Sequence, residues 1–405
     1  MAFPIRNEFF RTGRAPRGRE ASPRCVGAKA ERPALRQNFP RGGWNNALSG
    51  PRNSWKATRV MKALVIHPPH DLRLEEVETQ PLGTAQLRVH VRAGGICGSD
   101  LHYYQHGGFG TVRVREPMVL GHEVSGVVAE VGREVSGFKP GERIAISPSR
   151  PCGHCRYCLE GKPNQCLNMR FYGSAMPTPH ISGAFRQDIV IEPWQAFKVA
   201  DDVSDGEAAM SEPLSVALHA VRRAGSVLGR SVLVTGCGPI GTLLVLAARR
   251  AGAAEIVATD IADEALAVAR QVGADRTINT LKAPDELAAY GADKGHFDIL
   301  LEASGAEKAV QGAIDVVRPG GILMQVGNSG AAMTLPINQI TAKELDLRGS
   351  FRFHEEFGQA VGMLNSHLID VRPLITATFP SAQFKEAFAL AGDRARAMKV
   401  QISFV

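Results

Sequence analysis

A chain of 405 residues with 44% hydrophobic content is long enough for about two domains with sizeable cores. No apolar run approaches the ~20 residues of a membrane-spanning helix, so no membrane partner is expected. The net charge of +7 does not point to nucleic acid either: residues 1–60 carry thirteen Lys+Arg against three Asp+Glu, and the remainder carries 34 against 37.

Residues 1–60 are rich in Arg, Pro, Gly and Asn and lack hydrophobic periodicity, which reads as a disordered basic extension. Three accounts of it compete: an over-called start ahead of Met61, an organellar targeting peptide, or a nucleic-acid-binding arm. The first is favoured, because MKALVIHPP opens a strand cleanly at Met61. No apolar core of a secretory signal is present.

From Met61 to about Pro193, short strands and turns follow one another: KALVIH, LRVHVRAGG, EVSGVVAEVG, ERIAIS and FRQDIVI. This pattern predicts a mostly β domain. Its turns carry two metal-type constellations. Cys97 in GGICGSD and His122 and Glu123 in GHE offer three protein ligands, the number that leaves zinc an open position for water or substrate. Asp100 is a candidate to orient the His122 ring, or simply a loop cap. Cys152, Cys155, Cys158 and Cys166 then occur in PCGHCRYCLEGKPNQC, separated by two, two and seven residues. Four thiolates so close suit one closed tetrahedral zinc site. A disulfide cluster and an iron–sulfur site are the alternatives, and the spacing differs from the bacterial two-two-three pattern of the latter.

From about Ala208 to Gly349 strands and helices alternate, predicting a doubly wound parallel sheet. SVLVTGCGPIG places Gly236, Gly238 and Gly241, with Pro239 and Ile240 between them, after a buried strand and before a helix. In that context G-x-G-x-x-G is a dinucleotide signal, the helix N-terminus facing the pyrophosphate. The next strand, EIVATD, ends in Asp260, nineteen residues beyond Gly241. A carboxylate there accepts from a ribose 2′-hydroxyl and repels a 2′-phosphate, favouring NAD while leaving NADP possible; Asp260 is alternatively an N-cap of the following helix. The stretch from about Ser350 to AMKVQISFV is expected to return to the β domain. The cysteines fall in the metal motifs, the nucleotide loop (Cys237) or the extension (Cys25), a usage that suits a reducing cytoplasm.

GGICGSDLHYY, GHE, the four-cysteine lobe, SEPLSVALHAVRRAG and the glycine-rich turn, in that order, resemble the zinc-dependent medium-chain dehydrogenases over about residues 61–405. The chain is most similar to the sorbitol dehydrogenase-like branch. Within it, GGFGTVRVREPM, NMRFYGSAM and GSFRFHEEF resemble the L-idonate 5-dehydrogenases. The resemblance implies a GroES-like catalytic domain over 61–210, a Rossmann domain over 211–349 and a C-terminal return over 350–405. It implies one catalytic and one structural zinc, and a homodimer or homotetramer.

It further implies transfer of hydride from a secondary alcohol to NAD. Ser99 and His102 resemble the family's proton relay, and Glu212 of SEPLSV its other proton-handling group. Tyr103, Phe171, Ser174 and Arg352 fall where similar polyol enzymes line the substrate pocket. A sugar acid such as L-idonate needs a cation for its carboxylate, and Arg113, Arg115, Arg170 and Arg352 are candidates. The expected reaction is L-idonate to 5-keto-D-gluconate. The rivals are a sorbitol- or xylitol-type polyol dehydrogenase and a non-catalytic nucleotide-binding protein.

Overall fold

The computed structural model describes residues 60–405. The basic extension lies outside the described residues, apart from Val60, which opens the first strand. In chain order the principal elements of the first lobe are β1 (Val60–Ile66), β2 (Leu72–Glu78), β3 (Leu87–Gly95), α1 (Gly98–His106), β4 (Met118–Val119), β5 (Glu123–Val131), β6 (Arg143–Ile146), β7 (Asp188–Ile191) and β8 (Ala196–Lys198). Then come α2 (Ser211–Ala224), β9 (Ser231–Thr235), α3 (Pro239–Arg250), β10 (Glu255–Asp260), α4 (Asp263–Gln271), β11 (Arg276–Asn279), β12 (Phe297–Glu302), β13 (Val317–Gln325) and β14 (Asp346–Gly349). The chain closes with α5 (Glu356–Asn365), β15 (Ile375–Pro380) and β16 (Lys399–Ser403).

Two sheets build the first lobe: β2-β1-β4, and β8-β6-β5-β3-β16-β15 with β7 also on β3. The strand β3 is buried along almost its whole length because it has neighbours on both sides and packs on both faces. Its core draws on Leu64, Ile66, Leu87, Val89, Ile144, Phe185 and Ile402. The final strand β16 lies between β3 and β15 in this sheet. Sequence reading overlooked β2 and β11: both are mostly polar, and both stand on a sheet edge.

The second lobe is a six-stranded parallel sheet in the order β11-β10-β9-β12-β13-β14, a doubly wound arrangement. Near-continuous apolar strands such as SVLVT mark a sheet covered on both faces. Among the described residues no helix is long and apolar enough to cross a membrane.

Strand register decides where the chemistry gathers. β3 runs antiparallel to β5 with Gly95 opposite Glu123, so Cys97, just past β3, and His122, just before β5, share one end of the sheet. β16 pairs with β3 with Gln401 opposite Gly95, which brings Lys399 to the same end. In the parallel sheet Thr235 pairs with both Thr259 and Glu302, so the loops carrying Gly236, Asp260 and Ser304 rise together from the carboxyl edge.

Candidate active site and metal centres

The ligand-type atoms of Cys97, His122 and Glu123 lie within 4.8 Å of one another, a set that a single cation can bridge. His122 and Glu123 are buried and Cys97 is half-buried. Burial, then the neighbouring Glu123 charge, pushes the Cys97 thiol up to about 11. His122 Nδ1 is buried with no hydrogen-bond partner, a polar atom of the kind a folded protein rarely leaves unmatched. The donor chemistry of sulfur, imidazole and carboxylate fits zinc.

Asp100 is fully buried at the start of α1 and accepts the N–H of Cys97 at 3.0 Å and that of Gly121 at 3.2 Å. It therefore braces the two loops that deliver Cys97 and His122. Its carboxylate stands 4.0 Å from His122 Nδ1, too far for a hydrogen bond, so the loop-cap reading holds here.

Sequence reasoning missed Lys399. Its ammonium donates to both oxygens of Glu123, at 2.8 and 2.7 Å, and to the Ile96 carbonyl at 3.1 Å. A lysine inside the apolar run MKVQI was the available signal, but its target lies 276 residues away. Gly95 makes room for this pair: a Cβ there would fall 2.1 Å from Glu123 Oε2.

Glu212 sits in the first turn of α2, where Pro213 needs no N–H partner. Burial pushes its carboxyl up to about 8, reinforced by the charges of Glu123 and Cys97 and opposed by His122 and Lys399. Those neighbours place Glu212 at the metal-type cluster. Ser99, two residues past Cys97, is half-buried and its hydroxyl favours the thiolate, and His102, one turn along α1, is exposed.

Tyr103 is buried and its hydroxyl accepts the Ala175 N–H at 3.2 Å. Ser174 is buried, with its hydroxyl accepting the Met176 N–H at 3.3 Å. The Phe171 ring packs 5.5 Å from that of His122 and 4.2 Å from the Arg352 guanidinium. Burial pushes Arg352 down to about 10, while Glu212 and Tyr103 push it up. Arg113, Arg115 and Arg170 are exposed, so the structure brings only Arg352 of the four arginines to this cluster.

The second constellation also closes. Cys155 Sγ lies 3.6 Å from Cys158 Sγ and 3.9 Å from Cys166 Sγ, and all four sulfurs lie within 4.8 Å. Zinc–sulfur bonds of about 2.3 Å separate tetrahedral sulfurs by about 3.8 Å, so the lobe fits zinc. The backbone N–H of His154 holds Cys152 down to about 6, and burial pushes Cys158 up to about 12. A third cluster, His219, His354 and Glu356, has a different character. Glu356 Oε1 meets His219 Nδ1 at 3.0 Å and Arg222 at 3.1 Å, and Oε2 accepts the His354 N–H at 3.0 Å. The arginine already neutralises the carboxylate, making this an ion-pair clamp between α2 and α5.

At the nucleotide turn Gly236 has φ +82° and a Cβ there would meet the Ser304 backbone at 2.6 Å, while a Cβ at Gly241 would fall 1.7 Å from the Gly236 carbonyl. Gly238 caps α3 and faces open space, followed by Pro239 and Ile240 in its first turn. This cradle fits a dinucleotide pyrophosphate. Asp260 accepts the N–H groups of Cys237 at 2.6 Å, Ile261 at 2.7 Å and Ala262 at 3.0 Å. Ala262, not Asp260, is the N-cap of α4. Glu302, also missed, is buried at the end of β12 and accepts the Ser304 and Gly305 N–H groups, fixing the loop against which Gly236 packs.

Comparison with known proteins agrees with this geometry. Residues 83–201 match the alcohol dehydrogenase GroES-like domain and residues 239–366 match the zinc-binding dehydrogenase domain. The chain is 43% identical over 316 residues to L-idonate 5-dehydrogenase (NAD(P)(+)) of Escherichia coli K12, covering 78% of this chain and 91% of that one. It is 37% identical to human sorbitol dehydrogenase, covering 80% and 91% respectively. The crystal structure of the Escherichia coli L-idonate 5-dehydrogenase superimposes with a TM-score of 0.83 at 39% identity, covering 86% of this chain and 99% of that one. The two metal-type clusters and the nucleotide cradle thus sit in a zinc-dependent, NAD-linked oxidoreductase acting on a CH–OH group. The chain belongs to the zinc-dependent medium-chain dehydrogenases, in their sorbitol dehydrogenase-like branch.

Proposed function

We propose that this enzyme oxidises the 5-hydroxyl of L-idonate to give 5-keto-D-gluconate, with NAD as the preferred acceptor. The observation that carries the substrate is Arg352. Its guanidinium stacks on Phe171, whose ring also neighbours that of His122, donates to the Met176 sulfur at 3.3 Å, and forms no ion pair among the described residues. A half-buried cation one ring away from the metal-type cluster matches a substrate with a hydroxyl at one end and a carboxylate at the other. The similarity to the Escherichia coli L-idonate enzyme supports the same reading.

Cys97, His122 and Glu123 would hold the catalytic zinc, and Cys152, Cys155, Cys158 and Cys166 the structural one. The catalytic ion supplies a Lewis acid that lowers the pKa of an alcohol. Glu212 is positioned to hold a proton at its carboxylate, raised as it is by burial. Ser99 Oγ passes the substrate's proton outward and His102, exposed at the rim, releases it to water. Tyr103, Phe171 and Ser174 shape the pocket and exclude solvent. The reaction balances as alcohol plus NAD⁺ giving ketone, NADH and one proton.

Gly236, Gly238, Pro239, Ile240 and Gly241 cradle the cofactor, and the Asp260 carboxylate, with exposed Ile261 beside it, supports NAD over NADP. Sheet membership of β15 and β16 supports reading 61–210 and 350–405 as one catalytic domain around a Rossmann domain at 211–349. The exposed Leu347 on the edge strand β14 is a surface that a homodimer or homotetramer would cover. Free thiols throughout both clusters suit the cytoplasm.

The test is an initial-rate panel on zinc-loaded protein, with NAD and NADP against L-idonate, D-gluconate, sorbitol, xylitol and L-threonine. The highest kcat/KM is expected for L-idonate with NAD. A clear win for a neutral polyol would remove the carboxylate argument and leave a polyol dehydrogenase.

A further inference from the structure

Arg352 is held in an unusual way. It is a non-glycine residue with φ +54°, in the left-handed region that side chains with a Cβ rarely occupy. Such a conformation persists only where the surroundings over-determine it. On its C-terminal side the anchors are plain: Phe353 is buried in the core, and the His354 N–H is bonded to Glu356, itself clamped to α2 by His219.

The anchor on the N-terminal side comes from far away in the chain. Asn164 Nδ2 donates to the Phe351 carbonyl at 2.9 Å. That oxygen lies in the same peptide plane as the Arg352 nitrogen, so fixing it fixes the axis about which Arg352 φ turns. Asn164 is buried in the one-turn helix Pro163–Gln165, between Cys158 and Cys166 of the four-cysteine lobe. The lobe thus reaches across to the strap that carries the candidate carboxylate-binding cation. The Phe351 and Phe171 rings, 4.9 and 4.2 Å from the guanidinium, then set its direction.

We infer that Asn164 is a positioning residue for substrate selectivity: through the Phe351 carbonyl it holds Arg352 in the pose that grips an acidic substrate, so the cysteine lobe tunes specificity as well as stability. This rests on the L-idonate reading, and the test separates the two. Asn164→Ala, Asn164→Ser and Arg352→Ala are prepared as zinc-loaded full-length protein. KM and kcat are measured with L-idonate and with sorbitol, alongside zinc content and the thermal midpoint. Loss of one neutral hydrogen bond predicts a rise of about fivefold in KM for L-idonate in Asn164→Ala, with kcat and the sorbitol KM changed by less than about twofold. Zinc content should equal that of the parent. In the Arg352→Ala background, Asn164→Ala should add nothing further to the L-idonate KM.

A purely structural role would lower zinc content or the midpoint and move both substrates alike, which overturns the inference. If Asn164→Ala does not retain zinc, Asn164→Ser, which keeps a donor of shorter reach, is read by the same ratio of KM values, and an unmoved ratio overturns the inference. If Arg352→Ala shifts the ratio and neither Asn164 variant does, only the present inference falls. If Arg352→Ala itself leaves the ratio unchanged, the L-idonate reading falls.

Discussion

Lys399 Nζ and the Glu123 carboxylate form a two-pronged ion pair in which both side chains are almost wholly out of water, at 3% and 1% exposure. A buried charge left without its partner is strongly destabilising. Each carboxylate oxygen has two lone pairs, so the lysine and a cation can share Glu123. Lys399→Met is therefore expected to cost about 3 kcal/mol in metal-free protein, and distinctly less once zinc supplies the missing positive charge. Urea unfolding with and without a chelator checks this; equal losses in both states would contradict it.

Gly95 is the space that Glu123 occupies. A methyl group there would sit 2.1 Å from Glu123 Oε2, so Gly95→Ala must displace that carboxylate. Zinc content should drop by about one ion per chain while the four-cysteine site stays filled, and dehydrogenase activity should be lost. Metal analysis of the purified variant gives the answer, and retention of all the zinc together with activity would be the contrary result.

Asp260 has two separable tasks. On the reading proposed above its charge discriminates between cofactors, and its oxygens receive three backbone N–H groups at the nucleotide turn. Asp260→Asn removes the charge and keeps only one of the two accepting oxygens, so the ratio of kcat/KM for NADP over NAD should rise by about tenfold with a smaller drop in thermal midpoint than Asp260→Ala gives. Asp260→Ala removes both and should also lower the thermal midpoint by several degrees. Steady-state kinetics with the two cofactors and a melting curve distinguish the two tasks.

Glu356 predicts an acid-sensitive clamp. Burial alone would raise its pKa, but the bonds from His219 and the His354 N–H outweigh it and hold the carboxyl at about 2, below the usual 4.5. A depressed folded pKa contributes stability that is complete above about pH 4.5 and fades as pH falls toward 2. The contribution is about 3 kcal/mol from the size of that shift. Glu356→Gln should flatten this part of the acid-unfolding profile; an unchanged slope between pH 5 and 2 would refute the assignment, the window following from the shift.

What could be read in advance was whatever the chain encodes over short spans. The four cysteines lie within fifteen residues and the three glycines within six, so spacing alone reported their geometry. Register then explains why Cys97 and His122 meet: both flank strands whose alternation was legible. Lys399, Asn164 and Glu302 were not legible for the converse reason. Asn164 meets Phe351 across 187 positions, and no local pattern distinguishes it from any asparagine in a cysteine-rich loop. Choosing Arg352 over Arg113, Arg115 and Arg170 likewise required knowing which of them folds inward.

The placement of β16 between β3 and β15 has a consequence for biosynthesis. The six-stranded nucleotide-binding sheet is built wholly from residues 231–349 and has all its strands before residue 399 leaves the ribosome. The catalytic sheet, although most of it is translated first, must wait for residues 399–403 to fill its interior gap and deliver Lys399 to Glu123. A nonsense codon late in the reading frame would thus release a chain competent to bind a dinucleotide yet lacking a completed active site, a product that cofactor-affinity capture would retain and an activity assay would miss.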